Sequence, residues 1–94
     1  MDKITKGTIL RNMYQPDYDS FLIFLEYKDR SAKCIWIIDT HKEVQIKYDT
    51  NFYKRSIAND RLHYPIVGHI DIDNLLINHT KNEVIGYAMR KHDG

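Results

Sequence analysis

Three residues that could ligate a divalent metal ion alternate along one short stretch of the chain: His69, Asp71 and Asp73. Alternate residues of an extended strand project from the same face, so one imidazole and two carboxylates would converge there. In the competing interpretation the strand ends near His69, Asp71 caps a helix, and Asp73 lies in the first turn, where the helix dipole favours acids. Capping accounts for both acids without a ligand, so we predict no metal and no cofactor.

Catalysis by a nucleophile and a base has little support in the sequence. None of the serines lies in a Gly-x-Ser-x-Gly elbow, and no Walker loop, dinucleotide fingerprint or zinc-finger pattern occurs. The residues that could serve an RNA-cleaving mechanism are Arg11, Arg55, Arg61 and His63. Nothing in their spacing brings them together, and solvated charge is the simpler explanation. We therefore expect that the protein is not an enzyme.

The seven tyrosines are the most unusual feature of the composition. Four of them fall in or beside predicted loops, among acids and arginines: Tyr14, Tyr18, Tyr53 and Tyr64. Tyrosine and arginine dominate the hot spots of protein interfaces, whereas aromatics interleaved with basic residues can stack the bases of single-stranded nucleic acid. Alternatively, the tyrosines cover a thin core and keep their hydroxyls in water. The sequence leaves these three explanations open.

Segment 49–65 is the predicted binding surface. Its apolar periodicity is weak and it is rich in aromatic and basic residues, and long connections on a rigid scaffold commonly carry function. We expect partner contacts from Tyr53, Arg55, Arg61, His63 and Tyr64. The two tyrosines and two arginines of this set should then be at least partly exposed.

Length, composition and charge restrict the class of protein. A chain of 94 residues that is 43% hydrophobic and 29% charged predicts one globular domain, 1–94. Its formal charge of +1 provides no global field toward nucleic acid or membrane. The single cysteine, Cys34, lies in an apolar run and is expected to be a buried, unreactive thiol. No apolar stretch approaches the roughly 20 residues of a membrane span, and no signal-peptide core is seen, so we expect a cytoplasmic protein.

Alternation of apolar residues predicts a meander of antiparallel strands. The predicted strands are 5–14, 20–27, 33–39, 43–48, 66–70 and 84–89. The second and third are apolar on both faces, which is typical of strands covered on both sides. Gly7, inside the first, predicts a bulge or a close backbone approach.

Two helices are predicted beside these strands. Asp49 or Thr50 could cap a short helix at 51–58, although its apolar spacing is poor, whereas apolar residues at helical spacing predict a helix over 71–81. The expected fold class is mainly β or α+β. It is a five- or six-stranded curled antiparallel sheet or SH3-like barrel, with one C-terminal helix.

Two stretches carry a resemblance to a known family. Gly7-Thr8-Ile9 opens a strand, and segment 66–71, with the sequence IVGHID, leads into a helix containing Leu75 and Leu76. This order resembles PemK/MazF-type small barrels, a family of mostly dimeric endoribonuclease toxins with an SH3-like core. The family's Arg-Pro segment after the second strand, which shapes its RNA site, has no match within 28–38. The resemblance therefore implies a barrel, and leaves a homodimer open, more than it implies RNA cleavage.

The function expected from these observations is non-enzymatic binding that occupies a surface of another macromolecule, a protein rather than a nucleic acid. Ile, Lys, Asn and Tyr, whose codons are AT-rich, are heavily used. Together with the small size, this favours an accessory protein of a phage or mobile element, such as an inhibitor of a host defence factor. The alternatives are an RNA-binding or endoribonuclease toxin-like barrel and a dimeric nucleotide- or small-molecule-binding module.

Overall fold

One curled antiparallel sheet of five strands and one short helix make up the part of the chain that the computed structural model describes, residues 4–15 and 17–73. The elements are β1 (Thr8–Arg11), β2 (Asp19–Lys28), β3 (Ser31–Asp39), β4 (Val44–Tyr53), α1 (Lys54–Asn59) and β5 (Ile66–His69). Their order in the sheet is β4-β3-β2-β1-β5, and within this range the sheet does not close into a barrel. The mainly β prediction is confirmed.

The C-terminal predictions fall mostly beyond these residues. Asp71 directly precedes two helical residues, Ile72 and Asp73. The rest of the predicted helix over 71–81, and the predicted strand at 84–89, lie outside the described residues. Among residues 4–15 and 17–73, no helix has the length and apolar character needed to cross a membrane.

Strands β2 and β3 form the centre of the sheet and are buried on both faces, as predicted. In their register Leu22 lies opposite Trp36 and Phe21 opposite Ile37, so successive residues feed two separate cores. The first core contains Ile9, Phe21, Ile23, Ile35, Ile37, Ile70 and Ile72. The second contains Leu10, Leu22, Phe24, Ala32, Cys34, Ile57 and Tyr64. Because each face of these two strands packs into its own core, both faces are apolar at the centre of the sheet.

Strand β1 is shorter than predicted because the chain turns at Gly7. This glycine has a φ of 93°, and a Cβ there would overlap the carbonyl oxygen of Ile70. The Gly7 N–H donates to the Phe24 carbonyl at 2.8 Å, and the Ile70 N–H donates to the Gly7 carbonyl at 2.9 Å. The predicted close backbone approach is confirmed, and only glycine fits it.

Strand β4 is longer than predicted and runs to Tyr53 instead of ending at residue 48. Its last residues pair with the start of β3, Phe52 opposite Ala32 and Tyr53 opposite Ser31. The predicted helix start at 51 is therefore wrong, and so are the proposed caps Asp49 and Thr50, because the strand ladder takes these residues. Helix α1 begins at Lys54 without a side-chain cap.

Candidate functional site

Tyr53 stands at the corner where β4 ends and α1 begins, and its side chain is 81% exposed. Two grooves meet at this ring. The larger, about 830 Å³, is here called the basic groove and is lined by Asp29, Arg30, Tyr53, Lys54, Arg55, Ala58 and Asn59. The smaller, about 440 Å³, is called the polar groove and is lined by Ser31, Asn51, Phe52, Tyr53, Ser56 and Tyr64. Tyr53 therefore lines both grooves, which lie next to each other.

The walls of the basic groove are held by backbone contacts. Asp29 adopts a φ of 56°, which turns the chain tightly between β2 and β3. The Lys54 N–H donates to the Arg30 carbonyl at 3.0 Å, so this turn and the start of α1 are joined. Ile57 is fully buried in the second core, and Arg55, on a different side of the helix, is exposed. The groove is thus positioned by the sheet and by one buried helix residue.

The positive charge of the basic groove is not neutralised by the described part of the chain. Within residues 4–15 and 17–73, neither Arg30 nor Arg55 has a carboxylate within salt-bridge distance. Arg11, by contrast, lies 2.8 Å from the Asp19 carboxylate. Asp29 lines the basic groove without closing such a contact. The groove therefore presents guanidinium groups to solvent and to any partner.

Tyr64 corrects the predicted surface. It is 8% exposed, belongs to the second core, and lies edge-on to Phe52 with ring centroids 6.4 Å apart. The chain turns inward here because the Tyr64 N–H donates to the Asp60 carbonyl at 3.0 Å. Burial raises the pKa of its hydroxyl. The expectation that Tyr64 is exposed is wrong, although part of it lines the polar groove.

Arg61 is half-buried and is engaged within the fold. Its guanidinium donates to the Tyr64 carbonyl at 2.8 Å and also to the Ile57 carbonyl. The Ile57 carbonyl lies in the last turn of α1, where backbone oxygens have no partner within the helix, and the bond to Tyr64 joins the following loop to it. The fold therefore gives Arg61 a structural task, and its part in binding stays a prediction.

His63 forms a pair with Asp60 beside an aromatic ring. Its Nδ1 lies 2.8 Å from Asp60 Oδ2, and its backbone N–H donates to Asp60 Oδ1 at 3.0 Å. These bonds, the backbone one first, lower the pKa of the Asp60 carboxyl. The imidazole stacks on Tyr14 with a centroid distance of 4.3 Å. An Asp–His pair can orient a general base. Two arginines that an RNA-cleaving mechanism could use with it are already engaged within the fold, Arg11 by Asp19 and Arg61 by two backbone carbonyls.

Some exposed residues were missed by the sequence analysis. Arg30 lines the basic groove, yet a basic residue in a hairpin turn carries no signal of the helix that folds beside it. Leu62 is 80% exposed, and its neighbour His63 accepts a backbone hydrogen bond from Met13, itself exposed, at 2.8 Å. An isolated leucine in a loop does not distinguish a surface from a core position.

One group of possible metal ligands occurs in the described residues, and it is not the set His69, Asp71 and Asp73. Donor atoms of Asp19, Asp39 and His41 lie within 4.8 Å of one another. Each aspartate already has a partner, since Arg11 binds Asp19 and the His41 N–H donates to Asp39 at 2.9 Å. In the stretch considered first, His69 Nε2 lies 2.9 Å from the Lys6 carbonyl. The absence of metal stays a prediction.

Comparison of this chain with protein-family models, with curated proteins and with solved structures gives no match. The resemblance to PemK/MazF-type barrels, and the homodimer that it leaves open, therefore stay predictions.

Proposed function

We propose that this protein is a non-enzymatic binding protein that acts by occupying a surface of another macromolecule, a protein in preference to a nucleic acid. The observation that carries this proposal is the exposed ring of Tyr53 between two grooves, with Arg30 and Arg55 beside it. Tyrosine and arginine are enriched among the few residues that supply most of the binding energy at interfaces. The contact is centred on Tyr53 and Arg55, two of the residues predicted from the sequence.

The rigidity of the site supports this role. Tyr53 is paired with Ser31 in the sheet, and its neighbour Lys54 donates to the Arg30 carbonyl. The Lys54 ammonium lies 5.1 Å from the ring of Tyr27, so a further side chain of the groove is held by a cation–π contact. A partner that binds pre-ordered groups loses less conformational entropy on association.

The biological setting that we propose is the cytoplasm of a bacterium infected by a phage or carrying a mobile element, where the protein inhibits a host defence factor. A small domain without a catalytic motif can inhibit an enzyme by covering a functional surface, which needs an interface of standard size but no chemistry. The heavy use of Ile, Lys, Asn and Tyr, whose codons are AT-rich, supports this setting.

Phage plating tests the proposal directly. The protein is expressed in bacteria that carry defined phage-defence systems one at a time, and the plating efficiency of a phage restricted by each system is measured. We expect the wild-type protein to restore plating against a particular system and the Tyr53→Ala, Arg55→Ala double variant not to. Lys42→Ala, an exposed change in the turn between β3 and β4, is the matched control. Equal protection by the double variant would place the surface elsewhere.

Single-stranded nucleic acid is the second candidate partner, because Arg30, Lys54 and Arg55 line the same groove as the exposed Tyr53. Stacking of a base on an aromatic ring beside cations is the usual arrangement in such sites. Fluorescence anisotropy with labelled single-stranded RNA tests it. Binding that weakens steeply with salt, and is lost in Tyr53→Ala, would favour this function over protein binding. Cleavage of the RNA in the same mixture would contradict the non-enzymatic assignment.

A further inference from the structure

We propose that the partner presents an extended acidic segment whose carboxylates bind Arg30 and Arg55 in the basic groove beside Tyr53. This inference rests on the proposed function and specifies the chemistry of its partner. Arginine binds carboxylates through two parallel N–H···O bonds, which are shorter and stronger than neutral hydrogen bonds. Arg30 in the β2–β3 turn and Arg55 in α1 can therefore each bind one acid of the partner, and the spacing of these two acids determines whether both bind.

Charge complementarity selects an acidic occupant. The basic groove is lined by three cations, Arg30, Lys54 and Arg55, and by one acid, Asp29. Across residues 4–15 and 17–73, Arg30 and Arg55 lack a carboxylate within salt-bridge distance although both line this groove. Carboxylates of a partner would form the ion pairs that Arg30 and Arg55 do not form within the described part of the fold.

The shape of the surface suits an extended segment more than a compact one. The basic groove and the polar groove are adjacent, since Tyr53 lines both. Side chains of Ser31, Asn51 and Ser56 line the polar groove and offer hydroxyl and amide groups to the backbone of a bound segment. Tyr53 then packs against an apolar side chain of that segment, which is the mixture of aromatic centre and polar rim found at protein interfaces.

Asp29 argues for discrete carboxylates over a polyphosphate chain. This acid lines the basic groove together with the arginines. A nucleic-acid backbone carries one negative charge at every nucleotide and gains affinity from many phosphate contacts, about 6–10 in strongly salt-dependent complexes. The basic groove has only three cations, with Asp29 beside them, and can therefore make few such contacts. A peptide can place a neutral residue against Asp29 and acids against Arg30 and Arg55.

Nuclear magnetic resonance titration of the isotopically labelled full chain tests this inference. The probe is a synthetic peptide in which glutamate alternates with leucine, and its twin has every glutamate replaced by glutamine. We expect the glutamate peptide to shift amide signals around Asp29–Ser31 and Tyr53–Arg55, and to bind about tenfold or more tightly than the glutamine twin at low salt. Arg30→Ala with Arg55→Ala should abolish the shifts, whereas Lys42→Ala should leave them unchanged.

Each of the other outcomes counts against the acidic partner. Equal shifts by the glutamine twin, no shifts at the groove with either peptide, or tighter binding by an oligothymidylate of similar length would overturn it. The first of these leaves the groove as a protein-binding surface, so the proposed function survives while its partner chemistry fails. Failure of the proposed function itself is seen separately in the plating assay, as a wild-type protein that restores plating against none of the defence systems.

Discussion

Replacing Trp36 with alanine should destabilise the fold by about 3–4 kcal/mol, because this indole joins three neighbouring strands. Trp36 lies in the middle of β3, opposite Leu22 of β2 and Lys47 of β4. Its Nε1–H donates to the hydroxyl of the fully buried Ser20 at 2.8 Å. Its ring meets Phe52 edge-on at 5.7 Å.

The magnitude follows from these contacts. The hydrogen bond from Trp36 to Ser20 contributes about 0.5–1.5 kcal/mol. Its loss also leaves the buried Ser20 hydroxyl without this donor. The Trp36–Phe52 ring pair contributes about 0.5–1.5 kcal/mol. The Lys47 ammonium, 5.0 Å from the Trp36 ring centroid, adds about 0.5–1 kcal/mol. The indole is only partly buried, so the total lies in the lower part of the range of about 3–5 kcal/mol for truncating a large core aromatic.

Urea denaturation followed by far-ultraviolet circular dichroism measures this loss. Trp36 is the only tryptophan, so its fluorescence disappears with the substitution. A domain of this length is expected to have about 5–14 kcal/mol of stability, which leaves the variant enough to fold. Trp36→Phe keeps a ring and removes the N–H donor, and with Ser20→Ala it forms a double-mutant cycle whose coupling energy should be about 1 kcal/mol.

Two results would refute this reasoning. A loss below about 1 kcal/mol in Trp36→Ala, a typical value for an average substitution, would mean that the indole does not join the strands. Strict additivity of Trp36→Phe and Ser20→Ala would mean that the hydrogen bond between them contributes nothing.

Four further predictions follow from the same structure. Arg61→Ala should lower the free energy of unfolding by about 1.5 kcal/mol, because the guanidinium binds two carbonyl oxygens, one of them that of Tyr64; an unchanged urea midpoint would show these bonds to be unimportant. Burial raises the pKa of Cys34 to about 12, so iodoacetamide should alkylate it at neutral pH only in denaturant, and mass spectrometry that finds alkylation of the folded protein would contradict its burial. The lowered pKa of Asp60 stabilises the fold at neutral pH, and this stabilisation is lost as the pH falls through that pKa. The difference in stability between wild type and Asp60→Asn should therefore shrink in acid, and a difference that grows would show that the bonds with His63 are not its source. Protein purified without chelator should contain no stoichiometric transition metal, which elemental analysis can overturn.

The sequence by itself determined the central sheet and the burial of its residues. Strands β2 and β3 were predictable because their apolar residues are contiguous over the length of a strand, and such runs are stable only when both faces are covered. The same local pattern placed Cys34 inside, where it is fully buried. Gly7 was identifiable because a glycine beside a strand marks a close backbone approach.

Part of the candidate site was predictable in the same way. Tyr53 and Arg55 were selected as an aromatic and a basic residue in a segment without an apolar face, and both are exposed. Tyr64 was selected on the same ground, yet hydrogen bonds around Asp60 and Arg61 turn it into the second core. Residue type indicates which side chains can bind, but the direction in which each one points depends on contacts that periodicity does not describe.

Only the tertiary structure decided the shape and charge of the groove. Arg30 and Arg55 lie in different elements, and they line one surface because the end of β4 pairs with the start of β3 and sets α1 beside the β2–β3 turn. That pairing also extended β4 through Tyr53, against the weak alternation of the local sequence. Strand pairing is a contact between distant parts of the chain, and its stability depends on the partner strand as much as on the residues themselves. A single segment therefore cannot reveal where its strand ends or which charges will lie next to it.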